Sequence, residues 1–420
     1  MTPDAVAGLH PCVHCGFCLQ SCPTYRVSND EAESPRGRIV LMQALASRRL
    51  TASDPTLVQH LDQCLGCRAC EPACPSGVEY GPAIEAARQV LAAHRPIPLT
   101  VRMLHAVIGE PIARRGVFAT ARIVRPLARW VRGTATFGTA MGMLAATSPR
   151  RPPRDGARPI AEGLDVDQPR DRGTVALFRG CVMDDLFAHV HDATIRVLSA
   201  NGFLVVELAD QGCCGALHAH AGQHEDAVRL ACANADAFAA AATDTPVAVD
   251  AAGCGAILKE YGRLLEHTGS AGAGASLAAR ARDITELLAT AGPRRGAPLG
   301  LRVAYDPPCH LLHAQRIADE PEAVLAAVPG IERVHHQDAD LCCGSAGSYT
   351  FAQPDVSNRV LALKIAALRA AAPDVVVTGN PGCIMQIGAG LRSVGLDIPV
   401  VHPVELLDWS YERAGYYERD

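Results

Sequence analysis

Two short cysteine runs constrain this chain more than any other feature. Cys12, Cys15, Cys18 and Cys22, followed by Pro23, form C-x2-C-x2-C-x3-C-P, and Cys64, Cys67, Cys70 and Cys74, followed by Pro75, form it again. Three thiolates at intervals of three wrap one face of a cubane. The Cys-Pro turn then sends the fourth sulfur towards a neighbouring iron–sulfur core, so the last Cys of each run serves the other cluster. The spacing therefore predicts one [4Fe–4S] cluster on Cys12, Cys15, Cys18 and Cys74. It predicts a second on Cys64, Cys67, Cys70 and Cys22. A pair of zinc sites needs four ligands each and commonly uses C-x2-C pairs set well apart. Four cysteines in one tight run, twice, each with Pro behind, favour clusters.

The rest of the composition agrees with a metal-binding, cytoplasmic chain. There are 17 cysteines in 420 residues, too long a chain for a small disulfide-stapled scaffold. Lys and Arg total 39 against 44 Asp and Glu, which argues against a general nucleic-acid binder. No apolar run is long enough to span a bilayer, and the start, MTPDAVAGLHPC, lacks the basic and apolar stretches of a secretory signal.

Residues 1–95 read as a two-cluster ferredoxin module. Between its cysteine runs lie Glu33-Ser34-Pro35-Arg36-Gly37-Arg38 and a helical pattern over 39–45, predicting an inserted helical hairpin; a further helix over 83–95 closes the module. Arg36 and Arg38 fit two roles equally: offsetting the negative charge of a cluster, or forming a solvated helix start. Residues 96–150 form a basic helical segment. From Pro96 to Arg154 there are ten Arg and one acid, Glu110, with Val101, Leu104 and Ile108, then Ile123, Leu127 and Val131, at helical spacing. Such a segment suits an anionic membrane surface or an acidic partner, or it packs on its own domain behind a solvated Arg face. Proline-rich 151–173 reads as a linker.

Beyond the linker the chain repeats itself, over 174–295 and 296–420. Cys181, Cys213-Cys214-Gly215 and Cys254 are matched by Cys309, Cys342-Cys343-Gly344 and Cys383. Short β-branched runs alternating with Ala- and Leu-rich stretches (192–200, 224–242, 355–372) predict βα units on parallel sheets, with each cysteine just past a strand, where ligands gather. Cys-Cys-Gly is expected to open a helix whose N–H groups favour thiolates. Three strand ends per repeat then converge four sulfurs on one crevice: Cys181, Cys213, Cys214 and Cys254 in the first repeat, Cys309, Cys342, Cys343 and Cys383 in the second. Cys232 is left over as a core residue. His218, His220, His310 and His313 are candidates for auxiliary ligands or proton donors to a quinone, and equally for structural histidines. The expected architecture is an α+β, two-[4Fe–4S] ferredoxin-type helical module followed by a duplicated α/β, parallel-sheet Cys-Cys-Gly domain.

The ferredoxin pair followed by two Cys-Cys-Gly repeats resembles the iron–sulfur subunit of bacterial glycolate oxidase. Wider relatives include glycerol-3-phosphate dehydrogenase C subunits, lactate-utilisation proteins and the Cys-Cys-Gly subunit of heterodisulfide reductase. The resemblance rests on SPRGRIVLM (34–42), AAGCGAILKEY (251–261), DPPCHLLHAQ (306–315), CCGSAGSY (342–349) and GNPGCIMQI (379–387). It implies the electron-transfer subunit of a hetero-oligomeric oxidoreductase. FAD-binding partner subunits oxidise glycolate to glyoxylate, and a quinone at the membrane surface lies on the acceptor side. FAD is expected on the partner, not on this chain, because no G-x-G-x-x-G opens a strand–helix unit near the N-terminus. No catalytic residue is expected here. D-lactate or glycerol 3-phosphate as the partner's substrate is the nearest alternative; a disulfide reductase acting at a Cys-Cys-Gly cluster is another. In heterodisulfide reductase the repeat ends in C-x2-C and supplies five cysteines to a noncubane cluster. Here Ala251 and Asn380 replace the first Cys of that pair. Each four-cysteine set is then a candidate for one further iron–sulfur cluster of conventional type.

Overall fold

The structure, a computed structural model, describes residues 1, 3–128, 130, 131, 136–150 and 171–417. In the N-terminal module the SPRGR stretch explains its own fold. Ser34 caps the helix Pro35–Ala46 by accepting from the Gly37 N–H at 3.0 Å, and Pro35 occupies its first turn. Gly37 has to be small, because a Cβ there would collide with the Glu31 carbonyl. A second helix, Pro55–Asp62, completes the predicted hairpin, and Tyr80–His94 closes the module. Ile39, Met42, Leu57, Leu61, Ile84 and Leu91 from these helices form its core.

The predicted basic segment folds as three helices, Leu99–Gly109, Pro111–Ala128 and Thr136–Ala146. Of the predicted linker, residues 151–170 lie outside the described residues.

Each repeat then builds a four-stranded parallel sheet. The first comprises β1 (Thr174–Phe178), β2 (Leu204–Glu207), β3 (Val247–Val249) and β4 (Ala281–Asp283), in the order β2-β1-β3-β4. The second comprises β5 (Arg302–Tyr305), β6 (Glu332–Arg333), β7 (Val375–Val377) and β8 (Val400–Val401), in the order β6-β5-β7-β8. Strand order reverses between β1 and β3, and again between β5 and β7. The carboxyl ends of those pairs are therefore the switch points where an open α/β sheet opens a crevice. Val175 and Leu177 of β1 share one core with Val303 of β5 and Val376 of β7, so the repeats are packed as one body.

Candidate metal centres

The two ferredoxin runs come together in space. Cys12, Cys15, Cys18 and Cys74 line one small cavity, and Cys22, Cys64, Cys67 and Cys70 line another, with Cys70 reaching both. Each set of four thiols is a donor set that fits a cubane cluster. The two sets differ in exposure. Cys15 is exposed, between exposed Val13 and Phe17, whereas Cys22, Cys64, Cys67 and Cys70 are buried.

Of the two Arg in question, Arg38 is no solvated helix start. It is 1% exposed and threads between the runs. Its Nε donates to the His60 carbonyl at 2.7 Å and its Nη1 to Thr24 Oγ1 at 3.0 Å, while Nη2 pairs with the buried Glu33 carboxylate. Burial pushes the Cys64 thiol up, but the Arg38 and Arg88 cations together with hydrogen bonds from Gly66 and Tyr80 outweigh it, and the net shift is down. Arg36 stays at the surface, on Glu31 and the His14 carbonyl.

In the repeats, Cys181 and Cys254 follow β1 and β3, Cys309 and Cys383 follow β5 and β7, and both Cys-Cys pairs lie in the loops after β2 and β6. Gly215 and Gly344 explain the third residue of the motif. Both have left-handed backbone (φ +83° and +86°), and a Cβ on Gly344 would stand 2.7 Å from the Ser357 carbonyl oxygen. The expectation that the motif opens a helix holds once. Gly215 precedes the helix Ala216–His220, but after Gly344 the chain turns through Ser345–Ser348 and helix begins only at Tyr349. Left-handed Gly347 in that turn delays it.

The structure departs further from the expectation of one crevice per repeat: all eight repeat cysteines line a single, largely apolar cavity of about 350 Å³. Its roof is formed by the helices Leu99–Gly109, Pro111–Ala128 and Thr136–Ala146, through Leu104, Ile108, Phe118, Ala121 and Met143. Nothing in the spacing of either repeat announces a shared site, because the facing of the two sheets is set by their common core. Asn380, at one of the positions lacking a fifth cysteine, ties the halves together. Its Oδ1 accepts from the Gly253 N–H at 3.1 Å while its Nδ2 donates to Cys383 Sγ at 3.6 Å.

The two halves of the cavity are unlike electrostatically. In the first all four are raised, Cys213 to about 12: a hydrogen bond with Cys213 raises Cys181, while in Cys213, Cys214 and Cys254 the thiol hydrogen bond that lowers each is outweighed by burial and the neighbouring thiols. In the second, Cys342 and Cys383 donate to Cys343 and hold it at about 5. Lys364, buried against Asp306 at 2.6 Å, adds a cation whose field reaches Cys343 and Cys342. At the same offset from Cys-Cys-Gly the first repeat carries Ala235. Lys364 and Asp306 are functional candidates that the sequence reading missed; a lone Lys on an apolar helix face was the available signal.

His220 and His310 line the cavity, their ring centroids 5.3 Å apart. His313 bonds the Asp340 carbonyl and His218 stacks on His105, both structural roles. Cys232 packs at the edge of the first repeat's core. Most telling is the junction between modules: Leu65 and Cys67 of the ferredoxin set pack in one cluster with Cys309 and Cys342 of the second repeat.

Comparison with known proteins agrees with this division. Residues 8–78 match the 4Fe-4S dicluster domain, and residues 175–259 and 303–388 match the cysteine-rich domain known as CCG. The probable glycolate oxidase iron-sulfur subunit of Bacillus subtilis is 35% identical, covering 96% of this chain and 94% of its own. The glycolate oxidase iron-sulfur subunit of Escherichia coli is 33% identical, over 98% and 96%. Lactate utilization protein A of Oceanobacillus iheyensis is 30% identical, over 56% of this chain and 96% of its own. With two curated relatives matching along almost their whole length, the chain belongs to the family of glycolate oxidase iron–sulfur subunits, components of an oxidoreductase complex.

Proposed function

We propose that this chain relays electrons from a flavin-bearing partner, which oxidises glycolate to glyoxylate, towards a quinone at the inner face of the cell membrane. The observation that carries the reading is the packing of Cys67 against Cys309 and Cys342, which makes the cysteine sets one continuous series rather than separate sites. Clusters bound there supply single-electron chemistry, leaving two-electron substrate oxidation to another cofactor. The ligand sets are Cys12, Cys15, Cys18 and Cys74 for the first cluster and Cys22, Cys64, Cys67 and Cys70 for the second. Further sets stand in the Cys-Cys-Gly cavity.

Each of the chain's own residues then has a task. Exposed Cys15 brings the first set within reach of a partner, and Val13 and Phe17 supply apolar contact area beside it. Arg38 supports negative charge on the buried second set. The apolar walls of the cavity keep water from its thiols, and the buried Lys364–Asp306 ion pair stands beside the thiols of the second half.

D-lactate or glycerol 3-phosphate on the partner would leave these tasks unchanged. A disulfide reductase is disfavoured by Ala251 and Asn380, which occupy the positions of the missing cysteines. Iron and acid-labile sulfide analysis of anaerobically prepared protein tests the ligand sets. The expected result is about twelve irons per chain or more, the ferredoxin pair plus at least one Cys-Cys-Gly set. About eight would confine metal to the ferredoxin module, and fewer than eight would contradict the assignment of its cysteines.

A further inference from the structure

The helix Pro111–Ala128 is built inside out. At about 100° per residue, Ile112, Ile123 and Leu127 fall within about 60° of one another on one face. That face points away from the protein: the three side chains are 90%, 78% and 64% exposed. Its opposite face holds Phe118 and Ala121, which roof the cysteine cavity, together with two cations. Arg114 is 3% exposed and donates to Asp185 at 2.6 Å, and Arg125 donates to the Thr147 carbonyl at 3.0 Å. A helix that folds two of its four cations inward, at a desolvation cost, and leaves an apolar stripe outward is shaped for an apolar phase outside.

The neighbourhood extends the stripe and says what that phase is. Leu99 and Met103 on the preceding helix, Trp130 after Ala128 and Phe137 on the following helix are each more than 60% exposed. Among the described residues, most of the large exposed apolar side chains of the chain lie in this one segment. Exposed Arg102, Arg115 and Arg122 are interspersed with them, and Glu110 is the single acid between residues 96 and 150. An apolar stripe with a flanking basic row and an interfacial Trp is the pattern of a helix lying in the headgroup region of an anionic bilayer. No helix among the described residues is long and apolar enough to cross a membrane.

We propose that the helix Pro111–Ala128 and Trp130 dock this chain on an anionic lipid surface through Ile112, Ile123, Leu127 and Trp130, with Arg115 and Arg122 at the headgroups. This deepens the proposed delivery of electrons to a membrane quinone: the helix that would touch lipid is part of the roof of the cysteine cavity, one helix layer away.

The test is sedimentation of the full chain, and of its native complex, with vesicles of pure phosphatidylcholine or of phosphatidylcholine mixed with phosphatidylglycerol. Wild type is expected to sediment with the anionic vesicles only, and less as salt rises. The double substitution Ile123→Glu/Leu127→Glu is expected to weaken partitioning at least about 10-fold. Leu204→Glu, an equally exposed apolar site on β2, is expected to leave it unchanged. Reduction of a soluble dye by the complex reports the relay separately and shows that the double variant is folded; it should stay at the wild-type rate. Wild type left in the supernatant, equal binding to neutral vesicles, or a double variant that sediments like wild type would each overturn the proposal. So would loss of the partner subunit from the double variant, which would make this face a protein interface. Vesicle binding without any dye reduction would instead fail the relay and leave the docking surface standing.

Discussion

Replacing Cys15 by Ala is expected to leave reduction of the partner's flavin by substrate at its wild-type rate while slowing transfer to an external acceptor by about two orders of magnitude or more. Cys15 is the right residue because of where it sits. Its thiol is exposed in the loop that carries exposed Val13 and Phe17, outside the core formed by Ile39, Met42, Leu57 and Leu61. Removing it therefore takes away a cluster ligand without opening a cavity. The same change at Cys22 or Cys64 would confound the two effects, since both are buried and Cys64 is part of that core. Stopped-flow bleaching of the flavin, compared with steady-state acceptor reduction, separates the two steps. Parallel loss of both would mean that the complex fails to assemble, and that Cys15 does not act in a relay.

Arg38→Met carries the second large effect, this time on stability and potential together. The substitution leaves Glu33, itself 3% exposed, with its carboxylate buried beside only His60, at 2.5 Å, and the side chain of Gln63. Breaking a buried ion pair from one side costs roughly 3–5 kcal/mol. Chemical denaturation of the metal-loaded protein measures that loss. Glu33→Gln added to Arg38→Met should recover much of it, because no charge is then stranded. The potential should recover only in part, because Glu33→Gln removes a negative charge that acts on the thiols less than Arg38 does. Arg38 is the cation held between Cys22 and Cys64, so its removal makes an added electron on the second set less favourable and lowers the midpoint in a redox titration followed by EPR. A midpoint unchanged in both variants would reduce Arg38 to a purely structural residue.

Some of this arrangement is legible in the residues and some is not, for physical reasons. The eight ferredoxin cysteines are, because cluster ligation demands particular spacings and the Cys-Pro turn is local chemistry. The parallel sheets are, because β1, β3, β5 and β7 are short β-branched or apolar runs between helical stretches, and duplication states the pattern twice. The sequence leaves Arg38 open between two readings, and its burial against Pro55–Asp62 excludes the solvated helix start. What escaped is everything decided by how elements face one another. The eight repeat cysteines share a cavity because both sheets bury one face in the same core. Apolar periodicity alone suggests that Ile123 and Leu127 pack like Val101 and Ile108. Instead Arg114 turns inward to Asp185, and the stripe of Ile112, Ile123 and Leu127 is left outside. The late helix after Gly344 depends on the left-handed turn at Gly347, which one sequence word, CCGS, does not distinguish from CCGA.

The relay itself is tested most directly on the native complex, purified anaerobically through a tag on this chain. Glycolate, D-lactate and glycerol 3-phosphate are added separately, and flavin absorbance is recorded together with the EPR spectrum at cryogenic temperature. The account predicts a co-purifying flavin subunit that bleaches with glycolate, and reduced [4Fe–4S] signals from this chain that appear with it. A flavin that bleaches while the clusters stay oxidised, or a chain that brings down no flavin subunit at all, would contradict it.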